Sequence, residues 1–350
     1  MFASAPFIVI WEVTRACALA CVHCRAEAIP RRDPRELTTA EGVRLIDRVA
    51  AFGLRKPLFV LTGGDPMRRR DIAELVRHGV DRGLTVGLTP SGTAAVTHTR
   101  LEEVRAAGLA RLAVSLDGSD AETHDAFRRV RGSYRYTMRI IEDARALGLP
   151  LQINTTVCRQ TVADLPAIAE AVEQTGAVLW ALFFLIPVGR ATAEQGLSAD
   201  EIEGVLRWAA RLQAGAPFGI KTTEAPHYHR VLDDRRAGAG ARGRAVTDGN
   251  GFLFVDHLGA ICPSGFLPLT AGNVRSDDIV RVYREHPLFV SLRDTARLGG
   301  RCGVCEFRAR CGGSRARAYA ATGDVLAEDP GCAYVPSASA KVQRAEGAKR

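Results

Sequence analysis

The chain has 350 residues, 47% hydrophobic and 25% charged, a balance that excludes a wholly disordered or fibrous protein and leaves room for a substantial core. Its formal charge of +8 is carried by arginine, since lysine stands only at Lys56, Lys221, Lys341 and Lys349; with aromatics at 6% and no basic groove interleaved with them, no nucleic-acid partner is expected. The longest apolar stretch, 177–188, is too short for a bilayer, and nine cysteines behind an N-terminus without an export signal read as reduced thiols of a cytoplasmic protein with no membrane partner.

Short β-type runs alternate with helical patterns up to about residue 190, the order expected of a parallel sheet with crossover helices. Strands are predicted at 7–13, 58–61, 84–88, 111–116, 151–157 and 178–185. Thr38 followed by Glu41 predicts a capping box, and Gly53 a stop after the apolar positions Val43, Ile46, Val49 and Phe52. The stretches 71–82, 97–107, 134–147 and 164–175 repeat that pattern and end at Gly83, Gly108, Gly148 and Gly176. Polar residues follow so many different strands that the α/β class resolves to a partial (β/α)6 TIM-type barrel over 1–190. Beyond it a helix is expected at 198–213, within a 191–245 segment that ends in a Gly/Arg-rich linker or lid. The segment 246–336 is irregular, holds five of the nine cysteines and reads as a small C-terminal unit held by metal more than by its own core; 337–350 reads as a disordered tail.

The densest chemistry is Cys17-x3-Cys21-x2-Cys24, directly after the first predicted strand. Three thiolates this close need a cation to justify them. Their spacing also allows one buried helix face, or zinc with His23 as a fourth ligand. An iron–sulfur cluster on three protein ligands would leave one iron open to a substrate.

This pattern resembles the radical S-adenosylmethionine (SAM) superfamily. The resemblance implies a 4Fe-4S cluster on Cys17, Cys21 and Cys24 as the catalytic metal ligands, with SAM on the open iron. Reductive cleavage to methionine and a 5′-deoxyadenosyl radical, hydrogen abstraction, and an external low-potential electron donor follow from it. Leu61-Thr62-Gly63-Gly64-Asp65-Pro66 is similar to the family's GGE-type segment, with Asp65 for the commoner Glu. Ser91, Ser115, Asp117 and Asn154, at the ends of strands three to five, fall where ribose and carboxylate contacts would lie. Arg128 is placed to reach the SAM carboxylate, and Gly189 with Arg190 resembles the segment passing the adenine.

Cys302-x2-Cys305-x5-Cys311, with Cys332 beyond, gives four thiols that could close zinc or a cluster. The gaps resemble the second half of the SPASM domain, which implies a second, auxiliary 4Fe-4S cluster on these four residues. Where that domain carries a further cysteine shortly after the third position, this chain has Ser314, and upstream only Cys262 is present. One auxiliary cluster is therefore expected, with Cys262 and Cys158 packed and inert. The phrase CGGSRARAYAATGDVLAEDPGC looks like the branch of alternative haem and haem d1 synthesis, which implies a tetrapyrrole-like small molecule bearing carboxylates. Arg301, Arg308, Arg310, Arg315 and Arg317 would then either pair with such carboxylates or balance the thiolates. His227-Tyr228-His229 is expected on the polar surface. A peptide substrate, as for many SPASM enzymes, is the alternative; a non-catalytic iron–sulfur sensor or electron carrier would not need the residues after strands two to five.

Overall fold

The computed structural model describes residues 2–53, 55–235 and 245–337, so most of the linker or lid expected at 233–244 and nearly all of the expected tail lie outside the described residues. Its strands are β1 Ile8–Glu12, β2 Leu58–Thr62, β3 Thr85–Leu88, β4 Arg111–Ser115, β5 Leu151–Val157, β6 Leu179–Phe184, β7 Gly219–Thr223, β8 Phe252–Val255, β9 Ala260–Cys262 and β10 Gly272–Asn273. They form one sheet in the order β10-β9-β8-β1-β2-β3-β4-β5-β6-β7. Neighbours from β8 through β1 to β7 are parallel, and the β8–β9 and β9–β10 pairs are antiparallel, so β9 runs against the rest.

The six predicted strands are present, with two additional parallel strands at the flanks. On one side β7, GIKTT, escapes recognition because lysine and two threonines break the apolar alternation; it pairs with β6. On the other, β8 pairs with β1, so the sheet runs through the boundary expected at residue 246. The Thr38–Glu41 capping box closes the helix Thr39–Ala50 as expected. A helix at Ala121–Arg128, which sequence periodicity did not single out, is capped by Asp120.

Alternation along the strands separates two environments. In β5, Leu151, Ile153 and Val157 join the main core beneath the helices, while Gln152, Asn154 and Thr156 take the opposite face. In β6, Trp180 packs edge-on against Trp208 and Phe218, and its indole N–H donates to Thr155 at 2.9 Å. Each such fully buried large side chain stabilises the fold by about 1.5–3 kcal/mol. That apolar layer fixes the strands and leaves their C-terminal ends to carry polar residues.

Candidate active site

After β1 the chain leaves the sheet as an irregular loop. The three cysteines therefore do not share a helix face, as one reading of their spacing allowed. The loop is tied down by backbone: Cys17 N–H donates to Ile29 O at 2.9 Å, and Ile29 N–H to Arg15 O at 3.0 Å. From β2, Gly64 N–H donates to Thr14 O and Asp65 N–H to Ala16 O, each at 2.7 Å. Glycine is required there, because a Cβ on Gly63 would stand 2.4 Å from Thr14 O and one on Gly64 2.5 Å from Arg15 O.

Cys17, Cys21 and Cys24 line one cavity with Thr62, Gly63 and Gly64. Burial pushes the thiols of Cys17 and Cys21 up from their ordinary values, so in this setting they ionise only against a cation. The surrounding donors favour sulfur as acceptor: Leu19 N–H reaches Cys17 Sγ at 3.3 Å, Ala28 N–H reaches Cys24 Sγ at 3.4 Å, and Arg128 Nη1 reaches Cys21 Sγ at 3.7 Å. A donor set of three thiols beside an open cavity fits a cluster with one exposed position.

Ser91, Ser115, Arg128 and Asn154 line the same cavity. Ser91 Oγ donates to Gly64 O at 2.6 Å and lies 3.5 Å from Cys17 Sγ. Asn154 Oδ1 accepts from Gln152 Nε2 at 2.7 Å, which leaves its amide for a ligand. The other three residues expected at SAM act from behind. Asp65 is buried and turned inward, accepting from Thr93 Oγ1 at 2.7 Å and Met67 N–H at 3.2 Å. Asp117 is also buried and accepts from Arg128 and from Thr156 N–H at 2.6 Å; burial opposes its charge, but the Arg128 guanidinium holds its pKa below the usual carboxylate value. Gly189, at φ 65°, presses on the cysteine loop, where a Cβ would stand 2.4 Å from Arg25 O.

Sequence reasoning weighed His23 only as a zinc ligand and missed Arg25, Thr156, Phe183 and Phe266; all five line the cavity. His23 stacks on Phe127 at 4.2 Å, and burial lowers its pKa to about 3, so it is neutral rather than a cation beside the thiols. Arg25 donates to buried Glu12 at 2.6 Å and sits over Phe254; Glu12 in turn pairs with His257 at 2.9 Å. Phe266, from the C-terminal segment, meets Phe183 of β6, so both parts of the chain wall the cavity. Arg190 donates to Cys21 O at 3.0 Å and Ala28 O at 3.3 Å, while its Nη2 is buried without a partner among the described residues. Their neighbours in sequence carry no spacing that marks them; only the fold does.

Cys302, Cys305, Cys311 and Cys332 line a second cavity. Gly313 N–H reaches Cys311 Sγ and Asp329 N–H reaches Cys302 Sγ, both at 3.4 Å. Burial raises the Cys311 and Cys305 thiols and pushes Cys332 up to about 11, again a set that needs a cation. The five nearby arginines are held by protein groups: Arg315 donates to Ala327 O at 2.6 Å and lies 3.9 Å from Cys302 Sγ, and Arg317 pairs with Asp329 at 3.1 Å and donates to Glu224 O at 2.7 Å. Arg301 pairs with Glu328 at 3.2 Å, Arg310 with Asp233, and Arg308 donates to Gly303 O at 2.7 Å. Of the five, Arg315, beside Cys302 Sγ, is the one whose contacts fit the thiolate-balancing role that the sequence left open.

Ser314 caps the helix Arg315–Thr322 and donates to Glu224 at 2.5 Å, away from the cysteines. Cys158 and Cys262 are buried, the latter pushed up to about 12 by desolvation. His227 and Tyr228 are buried too, against the expectation of a polar surface; neither ring nitrogen of His227 has a hydrogen-bond partner among the described residues.

Residues 11–172 match the family described as the Radical SAM superfamily. Among characterised proteins the chain is similar to the AdoMet-dependent heme synthase of Methanosarcina barkeri, 40% identical over 95% of this chain and 98% of that one. It is likewise 40% identical to the AdoMet-dependent heme synthase of Nitratidesulfovibrio vulgaris, over 94% and 92% of the two chains. Among solved structures, Streptococcus suis SuiB bound to S-adenosylmethionine shares the fold with a TM-score of 0.74 at 15% identity, over 95% of this chain and 78% of that one.

Proposed function

The chain belongs to the radical SAM superfamily, and on that premise we propose that it removes hydrogen from a carboxylate-bearing side chain of an iron tetrapyrrole, with loss of carbon dioxide. The near full-length likeness to two heme synthases carries the choice of substrate. A 4Fe-4S cluster held by Cys17, Cys21 and Cys24 would supply the electron that splits SAM into methionine and a 5′-deoxyadenosyl radical.

The chain's own residues bind, orient and shield. Gly63 and Gly64 bring the β2 turn against the cysteine loop, where their backbone would meet the amino group of a bound SAM. Ser115 and Asn154 offer hydrogen bonds to the ribose from neighbouring strands, paired in register. Arg190 Nη2, buried and unpartnered, is the donor for a ligand carboxylate, and Asp117 keeps Arg128 aimed at Cys21. Phe183, Phe266 and Ile186 line the cavity's apolar side, where a macrocycle edge would displace water.

Hydrogen-atom removal followed by loss of carbon dioxide leaves one electron to be accepted. An auxiliary cluster on Cys302, Cys305, Cys311 and Cys332 would supply an acceptor. The test is anaerobic incubation of reconstituted enzyme with SAM, a strong reductant and an iron porphyrin bearing propionates. Loss of carbon dioxide from the porphyrin, matched by 5′-deoxyadenosine, is the expected result. Cleavage of SAM with no porphyrin bound or altered would overturn the tetrapyrrole reading and return the peptide alternative.

A further inference from the structure

We infer that the exposed loop at residues 29–35 is the docking surface for an acidic electron-transfer protein that reduces the site at Cys17, Cys21 and Cys24. The inference rests on the radical SAM reading, because that chemistry consumes one electron per SAM cleaved.

Three observations meet at this loop. The first is proximity. Cys17 N–H donates to Ile29 O at 2.9 Å, so the back of the cysteine loop is one hydrogen bond from residues that line an open surface concavity of about 700 Å³. The concavity shares no lining residue with the catalytic cavity, whose apolar side is Phe183, Ile186 and Phe266.

The second is charge. Arg31, Arg32 and Arg35 are exposed on the loop, and Arg68 and Arg70 are exposed beside it; Arg68 reaches Pro30 O at 3.5 Å. Asp33 pairs with Arg35 and Glu36 with Arg32, so the positive surface rests on Arg31, Arg68 and Arg70, which have no ion pair among the described residues. A surface of one sign steers an oppositely charged partner and can raise its association rate by about 10–1,000-fold at low ionic strength.

The third is rigidity. Buried Glu36 accepts from Thr14 Oγ1 at 2.7 Å, Arg15 N–H at 3.0 Å and Arg32 Nε at 2.7 Å, which fastens the loop to the strand end that leads into Cys17. A docked partner would therefore meet a fixed distance to the cysteine loop instead of a flexible arm. The redox step balances simply: the docked donor is oxidised by one electron and the three-cysteine site is reduced by one.

The experiment compares reconstituted wild type with Arg31→Glu/Arg35→Glu and with a charge-matched control, Arg105→Glu/Arg145→Glu, on exposed helix positions. An acidic flavodoxin serves as the protein probe and dithionite as the small-molecule reductant. Binding of flavodoxin is measured directly by titration, and reduction by stopped-flow absorbance. The loop variant should bind flavodoxin about tenfold more weakly at low salt and lose the salt dependence of reduction, with dithionite-driven SAM cleavage unchanged. The control should match wild type. Equal binding by the loop variant, or equal loss in the control, overturns the docking surface. Weakening by Arg301→Glu/Arg308→Glu alone overturns it too, by moving the entry point to the C-terminal site. Absence of dithionite-driven cleavage in wild type would instead refute the radical SAM reading beneath it.

Discussion

The two cysteine sites differ in what holds them. The three-cysteine loop hangs on a finished scaffold: β1 and β2 are paired over five residues, and the glycine turn adds two 2.7 Å hydrogen bonds to the loop backbone. The four-cysteine site sits among short irregular pieces, where the helix Gly300–Val304 buries none of its residues and the local apolar cluster has four buried members. A metal at the first site would therefore be a reagent placed on a stable frame, while one at the second would contribute to folding itself.

The sharpest way to break that contrast is to remove one cysteine from each site. Cys24→Ala should abolish SAM cleavage and lower bound iron from about eight to about four per chain, with little change in thermal midpoint. Cys332→Ala should also lose about four irons, yet retain SAM cleavage, and hydrogen exchange should report opening of the surrounding C-terminal segment. Equal loss of local protection in the two variants would refute the difference in support.

Next in size is the frame of the first site. Gly64→Ala would place a Cβ 2.5 Å from Arg15 O and 2.6 Å from Ala16 O, both backbone atoms that cannot swing away. SAM affinity should fall by about 100-fold, equivalent to about 2.7 kcal/mol, while iron content stays nearer wild type. Arg128→Met attacks the same site through charge: Asp117 would be left buried without its guanidinium, a change expected to cost about 3–5 kcal/mol. Equilibrium titration with SAM and urea unfolding check the two in turn.

That frame was legible in the sequence to the extent that its periodicity was local. The strand ends, the Thr38 cap and the Gly63-Gly64 turn each announce themselves within a few residues, because the physics that fixes them is short-range. Asp65 and Asp117 also stand at the expected strand ends, yet both turn inward: Thr93 and Arg128 outcompete the cavity for their carboxylates, and such partners lie 28 and 11 residues away. Strand β7 was hidden because Lys221, unlike the apolar residues of a buried strand, sits on the face opposite Ile220. Arg25 and Phe266 needed the C-terminal segment folded over β8 before their meeting at the cavity could be seen.

The smallest effect expected lies beside the second site. His227 is buried with both ring nitrogens unpartnered, and burial lowers its pKa from 6.5 to about 4. Above pH 6.5 the ring is neutral in both folded and unfolded chains, so it adds no pH dependence. Below that value the unfolded chain takes up the proton while the folded chain does not until about pH 4, so stability falls as the solution is acidified. Between pH 7 and 5.5 the loss amounts to about 1 kcal/mol from this residue. His227→Gln cannot titrate, and its urea midpoint should fall less than that of wild type over the same interval. An unchanged slope would mean that the ring gains a proton partner in solution, and with it that the C-terminal site is less tightly packed than the barrel beside it.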